Sequence, residues 1–398
     1  MGIRTHVEIE QFVKRVSDNI IEISGKYNKA ICHVANVENP LEIYAQMQIK
    51  ALCDKEIYKD CKIVLMPDCH PGKVGPIGLT MEISNKSPIM PALIGTDIGC
   101  GMTIAKFKPK HKLTVSDFQK LDTVIKENCK NTNKLAYTVE DYIVETILNK
   151  MNYINIKAAK RNIGTLGGGN HFIEIDIDND DNYYLTIHSG SRSVGGDTYT
   201  YFMNEGRKLL SNDDAYEDIA LKGQLRDKYL DCANLCNMYA LLNRQVMRDS
   251  ILKAMKWDID LTSSNGLFPH NYIDSDENKT IIHKGSISAR KNQFVIIPIN
   301  MRDGIIIGKG KGNADWNYSA PHGSGRIYKR TDVRKHATLT MFKESMKGIY
   351  SPSIAQNTLD ESPFAYRAID LIKDAIEENV EIINILKPVY NYKNGGNE

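Results

Sequence analysis

The sequence predicts an α+β fold: one large domain of mixed and antiparallel sheets with helices around them. Two observations carry that reading. Stretches with strand character and stretches with helical periodicity are interleaved without the regular strand–helix alternation of a doubly wound sheet. The residues richest in chemistry fall at strand ends or in glycine-rich turns, where sites are commonly carried on a rigid scaffold.

The elements follow in chain order. Residues 41–53 read as a helix, with Leu41, Tyr44, Met47 and Gln48 along one side. Residues 62–65 read as a short buried strand feeding a loop that holds Asp68 and His70, and 102–107 as a strand leaving a loop that holds Asp97 and Cys100. Helices fill 115–129 and 138–151. Residues 171–177 and 183–188 form a strand pair, with Asp180, Asp181 and Asn182 in the turn between them. The longest helical pattern spans 225–257, where Leu225, Tyr229, Cys232, Leu235, Cys236, Tyr239, Leu242 and Val246 share a face. It reads as scaffold. Strand signals return at 279–283, 293–299 and 304–307, and two helices are expected at 331–347 and 363–379. No low-complexity linker, internal repeat or charge block marks a boundary, so 1–398 reads as one domain, least defined over residues 1–55.

Hydrophobic content of 42% and charged content of 25% suit a globular protein with a large core. Lys plus Arg total 51 against 49 for Asp plus Glu, a net charge of +2 that neither requires nor excludes a local basic groove. No run approaches the roughly 20 apolar residues of a membrane span. No apolar signal core follows the first residues, so the expected location is cytoplasmic, with no membrane partner. The eight cysteines are scattered without a Cys-x-x-Cys pair, which argues for thiols rather than disulfides. Cys232 and Cys236 read as buried thiols on one helix. Cys69, beside His70, reads equally well as core or as support for a site.

The metal-binding signal is stronger. Asp97 and Cys100 stand three apart in a turn with two glycines, so both side chains can converge on one ion. His171 opens one strand and His188 closes the next, and antiparallel pairing sets those two ends side by side. His270 is a weaker candidate, since a histidine packed in a turn explains it equally well. A thiolate can bridge two ions, and a two-metal site suits phosphoryl chemistry. Ligand softness alone favours zinc.

His322 lies in Ser319-Ala320-Pro321-His322-Gly323-Ser324-Gly325-Arg326. Glycine lets a ligand approach the backbone, and Arg326 brings a planar fork of donors suited to phosphate. A histidine so presented is placed to react with a phosphate, although a tight turn with an incidental histidine fits this segment alone. Residues 308–313 form a basic glycine loop, either a backbone cradle for phosphate or a solvated turn. They do not match a P-loop. Arg192 follows His188 by four residues on an apparent Ser/Gly loop.

Taken together, segments 66–78, 96–102, 164–174, 188–192 and 319–326 resemble the RNA-splicing ligase RtcB family, GTP- and manganese-dependent enzymes that join RNA ends. The resemblance runs from about residue 60 to the C-terminus. It implies two Mn2+ ions on Asp97, Cys100, His171, His188 and His270. It implies His322 as the catalytic residue that accepts GMP from GTP. Asn170, Phe172, Glu174, Asn271, Pro298, Asn300, Met301, Gly323, Ser324, Gly325 and Lys393 would surround the nucleotide, with Arg192 and Arg326 on RNA phosphate or triphosphate. The implied substrates are RNA with a 3′-phosphate or 2′,3′-cyclic phosphate and RNA with a 5′-hydroxyl, and an archease-type activator is an implied partner.

Departures from the family pattern are Ser324 for the usual alanine, Ile299 and Asn300 for small residues, and His283 and Ser286 where arginine and alanine are common. Two rival readings remain at this level: a metal-dependent phosphodiesterase or phosphatase without a covalent step, and a non-catalytic RNA-binding protein.

Overall fold

Apolar residues at alternate positions make Ile20–Ser24 (β2) a half-buried strand, with Ile21 and Ile23 turned inward. It pairs with β1 (Val13–Ser17) and β3 (Lys29–His33), so the little-defined N-terminal stretch opens as a three-stranded meander. The structure is a computed structural model that describes residues 11–35, 41–130, 139–210, 215, 218–260, 266–275 and 279–394.

Those strands begin a seven-stranded mixed sheet among the described residues. It continues through β4 (Lys62–His70), β5 (Ile77–Ser84), β12 (Lys279–Lys284) and β11 (Asn271–Ser275). β4 lies parallel to β3 and is buried almost throughout, so Asp68 and His70 sit within the strand and not on a loop after residue 65.

A second sheet runs in the order β10 (Gly266–Pro269), β6 (Gly101–Lys108), β8 (Tyr183–Ser189), β7 (Phe172–Ile177), β17 (Val380–Lys393), β15 (Gly304–Gly310) and β14 (Phe294–Asn300). A small pair, β13 (Ser286–Ser288) with β16 (Ser319–Pro321), lies apart from both. Helices and mixed sheets without regular alternation make an α+β fold, as the sequence predicts.

The helix Gly223–Met255 ties the two large sheets together. Tyr229, Cys232, Cys236, Tyr239 and Val246 face the core of the first sheet, whereas Met247, Ile251, Leu252 and Met255 face the core of the second. Leu225, Leu235 and Leu242, expected on the buried face, are only half-buried. All eight cysteines are free and buried.

Several elements depart from expectation. The helix expected at 138–151 is Glu140–Thr146 followed by a 3-10 turn at Leu148–Lys150, and residue 138 lies outside the described residues. The helices expected at 331–347 and 363–379 are only Leu339–Ser345 and Ile369–Ile376, preceded by 3-10 turns. Thr338 caps the first of them through the Met341 N–H, which fixes its late start. The helix Arg192–Arg207 and the 14-residue strand β17 were not anticipated. The 308–313 stretch is no phosphate cradle. Gly308, Lys309 and Gly310 belong to β15, and the N–H groups of Gly310, Lys311 and Gly312 donate to Gln293, Asn379 and Ala289 carbonyls.

Candidate active site

The first half of the site is assembled by strand ends. Gly99 adopts a positive φ of 79° and turns the chain so that the Cys100 N–H donates to the Asp97 carbonyl, which brings both side chains to one side. Asp97 needs room there. A Cβ on Gly190 would lie 1.8 Å from Asp97 Oδ1, so glycine is required. β7 and β8 pair with Phe172 opposite His188, which sets His171 and His188 together as the sequence implies. His270 joins them because its N–H donates to the Cys100 carbonyl.

The ring nitrogens then face one another in a telling way. Nδ1 of His171 meets the Leu166 carbonyl at 2.9 Å, and Nδ1 of His188 meets the Asn170 carbonyl at 3.2 Å. A carbonyl only accepts, so each Nδ1 carries the proton and each Nε2 keeps a lone pair. His171 Nε2 lies 3.2 Å from Asp97 Oδ2 and 3.5 Å from Cys100 Sγ. His188 Nε2 lies 3.3 Å from Cys100 Sγ and 3.2 Å from His270 Nε2. Acceptors facing acceptors need a proton or a cation between them. The atoms fall into two groups, Asp97–Cys100–His171 and Cys100–His188–His270, that share the sulfur. This donor set of O, N and S fits one or two first-row divalent metals.

Electrostatics agree with such an occupant. Burial holds His188 and His270 well below the usual imidazole value, so both are neutral. Partial burial opposes ionisation of Asp97, but the His171 ring beside it outweighs that cost and holds the carboxyl low. Burial pushes the Cys100 thiol well up, with the Asp97 charge adding to it. A cation on the sulfur reverses that balance, because a coordinating thiol is deprotonated. Two cations brace the loops from behind: buried Arg244 donates through Nη1 to the Gly99 and Ser189 carbonyls, and half-buried Lys284 through Nζ to the Ile94 carbonyl.

The second half centres on His322, delivered by β16. Its Nδ1 lies 2.8 Å from Asp68 Oδ2, and its backbone N–H donates to the same oxygen at 3.2 Å. Asp68 is fully buried in β4. A carboxylate there accepts a hydrogen bond from Nδ1–H, leaving Nε2 with its lone pair. The ring centroid lies 4.8 Å from that of His270, so the reactive imidazole borders the metal-type cluster.

Both halves open on one cavity of about 510 Å3. Of the residues read from sequence, Asn170, Phe172, Glu174, His188, His270, Pro298, Asn300, Met301, His322, Gly323, Ser324, Gly325, Arg326 and Lys393 line it. Asp97, Cys100 and His171 do not line it and reach it through His188 and His270.

Two assignments do not meet the cavity. Asn271 is buried, and its Nδ2 donates to the Ile94 and Asp97 carbonyls, so it holds the ligand loop. Arg192 is the first residue of a helix, not part of a loop. It has a φ of 55°, and its Nε donates to Thr165 Oγ1 on the His171 side. Arg326 lines the cavity but is held internally by Glu361, Tyr366 and the Asp360 carbonyl.

Glu361 went unnoticed in the sequence. It is buried and gathers Arg326, Arg330, Lys393 and the Tyr366 hydroxyl. Burial opposes its charge, but Lys393, Arg330 and Arg326 together hold its carboxyl low. Asn391, also unnoticed, donates to Glu174. Glu174 is pushed well up by burial and then by the neighbouring Asp176. The departures are absorbed locally. Ser324 Oγ donates to the Ile299 carbonyl, and Ser286 Oγ, which donates to the Leu79 carbonyl, accepts from His283 Nδ1.

A family model described as tRNA-splicing ligase RtcB matches residues 55–152 and 110–394 of the chain. The RNA-splicing ligase RtcB of Escherichia coli is 30% identical over 383 residues, covering 82% of this chain and 88% of that protein. The tRNA-splicing ligase RtcB of Aeropyrum pernix is 24% identical, covering 78% and 82% respectively.

Proposed function

The chain belongs to the RtcB family, and on that premise we propose that it joins RNA 3′-phosphate or 2′,3′-cyclic phosphate ends to 5′-hydroxyl ends through a histidine–GMP intermediate, in tRNA splicing or RNA repair. The observation that carries this reading is His322, with Nδ1 tied to buried Asp68 and its ring beside a cluster of convergent donors. A metal-dependent hydrolase would use the same imidazole as a general base and would form no protein-bound GMP, so the covalent adduct separates the two readings.

His322 Nε2 attacks the α-phosphorus of GTP, the bond to the β-phosphate oxygen breaks, and pyrophosphate leaves. Asp68 keeps the Nδ1 proton in place and stabilises the positive charge that develops on the ring. An oxygen of the RNA 3′-phosphate then attacks the same phosphorus, the P–N bond breaks, and the histidine is regenerated. The 5′-hydroxyl next attacks the 3′-phosphorus, giving up its proton, and GMP leaves. A cyclic phosphate is first opened by water to the 3′-phosphate.

Asp97, Cys100 and His171 would hold one manganese ion and Cys100, His188 and His270 a second. Bound there, the ions would supply charge neutralisation for the phosphoryl transfers. Phe172, Glu174, Asn391 and Lys393 form the wall on which the guanine nucleotide would rest, with Asn170, Pro298, Asn300, Met301, Gly323, Ser324 and Gly325 around it. Arg326 would stand by phosphate. Arg192, behind His171, would act on the RNA end from outside the cavity described here.

An archease-type activator remains part of the proposal, as does a cytoplasmic location. Among the described residues, no helix is long and apolar enough to cross a membrane. The test is incubation with Mn2+ and GTP labelled at the α-phosphate. Label is expected to stay on denatured protein and to be discharged by RNA carrying a 3′-phosphate. Cleavage of phosphodiesters with no protein-bound label would establish the hydrolase instead.

A further inference from the structure

We infer that the cavity rim formed by Tyr44 and the segment 327–336 is a stacking platform for the single-stranded RNA that leads to the 3′-phosphate, an inference that rests on the RNA-ligase reading. The helix Ile43–Cys53 does not bury the side that its sequence suggests. Tyr44 is 59% exposed, Met47 is 49% exposed, and Ile43 is exposed as well. Large apolar side chains are seldom left together in water without an occupant.

The position of this patch identifies the occupant. Lys329 Nζ lies 3.9 Å from the Tyr44 ring centroid and 3.7 Å from Glu42 Oε1, and both Lys329 and Glu42 line the catalytic cavity while remaining exposed. Beside them Tyr328, itself on the cavity wall, stacks on exposed His336 with ring centroids 4.0 Å apart and planes 8° apart. Residues 326–336 carry Arg326, Lys329, Arg330, Arg334 and Lys335; Glu361 and Asp360 hold Arg326 and Arg330 and Asp332 holds Lys335, which leaves exposed Lys329 and Arg334 to meet phosphate. Aromatic rings interleaved with cations are the surface that binds single strands, since every base has a face to stack and every nucleotide a phosphate. A protein partner's apolar helix would gain nothing from that charge.

The strand carrying the 3′-phosphate is the one that must pass here. GMP leaves His322 for that phosphate, and the rim segment begins five residues after His322. Nucleotides upstream of the phosphate therefore leave the cavity across this rim, one base against the open face of Tyr44.

The experiment measures the KM of joining for a 3′-phosphorylated 12-mer and a 3′-phosphorylated dinucleotide, with α-labelled GTP uptake recorded separately. Tyr44→Ala is expected to raise KM for the 12-mer by about 5- to 150-fold, to leave the dinucleotide unaffected, and to take up label as wild type does. Tyr44→Phe keeps the ring and should restore the 12-mer KM. Arg334→Ala should lower the slope of log KM against log salt by about 1. An unchanged 12-mer KM in Tyr44→Ala, or an equal rise for both substrates, overturns the platform. A wild-type protein that takes no label overturns the ligase reading instead.

Discussion

Replacing Asp68 by asparagine tests the arrangement at its most exposed point, because it changes one atom and leaves the shape alone. Oδ2 of Asp68 accepts from both Nδ1 and the backbone N–H of His322, whereas Oδ1 is buried with no hydrogen-bond partner among the described residues. The amide has two placements. With its oxygen at the Oδ2 position, both hydrogen bonds survive without their charge, the NH2 takes the buried Oδ1 position, and the carboxylate's interaction with Arg367 is lost. Losing a charge-assisted bond costs about 1.5–3 kcal/mol, or about 10- to 150-fold in rate. With the NH2 toward His322, the ring proton is driven to Nε2 and the attacking lone pair is gone. The same inversion in serine proteases costs about 10^4-fold. The expected fall in guanylylation is therefore about 10^2- to 10^4-fold. Single-turnover uptake of α-labelled GTP measures it, with metal content as a control, since Asp68 belongs to neither donor group. An Asp68→Asn protein that labels at the wild-type rate refutes the role given to the Asp68–His322 pair.

Three further outcomes are expected. Cys100→Ser should lose more bound metal than His171→Ala or His270→Ala, because only the sulfur belongs to both donor groups; equal metal content across the variants, measured by elemental analysis, would show that no atom is shared. Glu361→Gln removes the buried anion that gathers Lys393, Arg326 and partly exposed Arg330, and should cost about 3–5 kcal/mol in denaturant unfolding; an unchanged midpoint contradicts that account. Asp176→Asn should change how stability varies with pH. Burial raises the Asp176 carboxyl to about 7 in the folded chain, against about 3.9 unfolded. Between those values the folded state alone holds the proton, so wild-type stability falls as pH rises and the loss is complete above about 7. The asparagine variant should gain on wild type from pH 4 to 8, and a pH-independent difference between them refutes the assignment.

Much of the metal-type cluster was legible because it depends on local rules. A glycine turn brings Asp97 to Cys100, and antiparallel pairing brings His171 to His188. His270 was harder, since only the pairing of β10 with β6 carries it to Cys100. The strand β17 was invisible for a physical reason. Pro388 argues against a strand interior, yet it sits at a bulge where register shifts between Pro388 and Tyr390, a place where a strand tolerates proline. With β17 missed, Asn391 and the partner of Lys393 were out of reach. Asp68 lies in the 66–78 segment, but its role is not legible there, because the 254-residue gap to His322 is closed only by tertiary packing. Arg192 was misplaced because a positive φ at a non-glycine residue leaves no mark in sequence.

The second sheet explains why the site and the core are inseparable. Along β7, Ile173 and Ile175 face the second core, whereas Phe172 and Glu174 face the cavity. On β8, Leu185 and Ile187 are core, and His188 turns to the cavity. On β17, Tyr390 and Tyr392 are core, while Asn391 and Lys393 reach the cavity. Side chains alternate with a period of two, so a slip of one residue in any of these strands would send an isoleucine or tyrosine into the site and a charge into the core. The free energy of burying the apolar face therefore selects the register that sets His188, Glu174 and Lys393 in place. Each of these groups is costly to bury alone. The polar face is tolerated because its groups answer one another, Asn391 to Glu174 and Lys393 to Glu361.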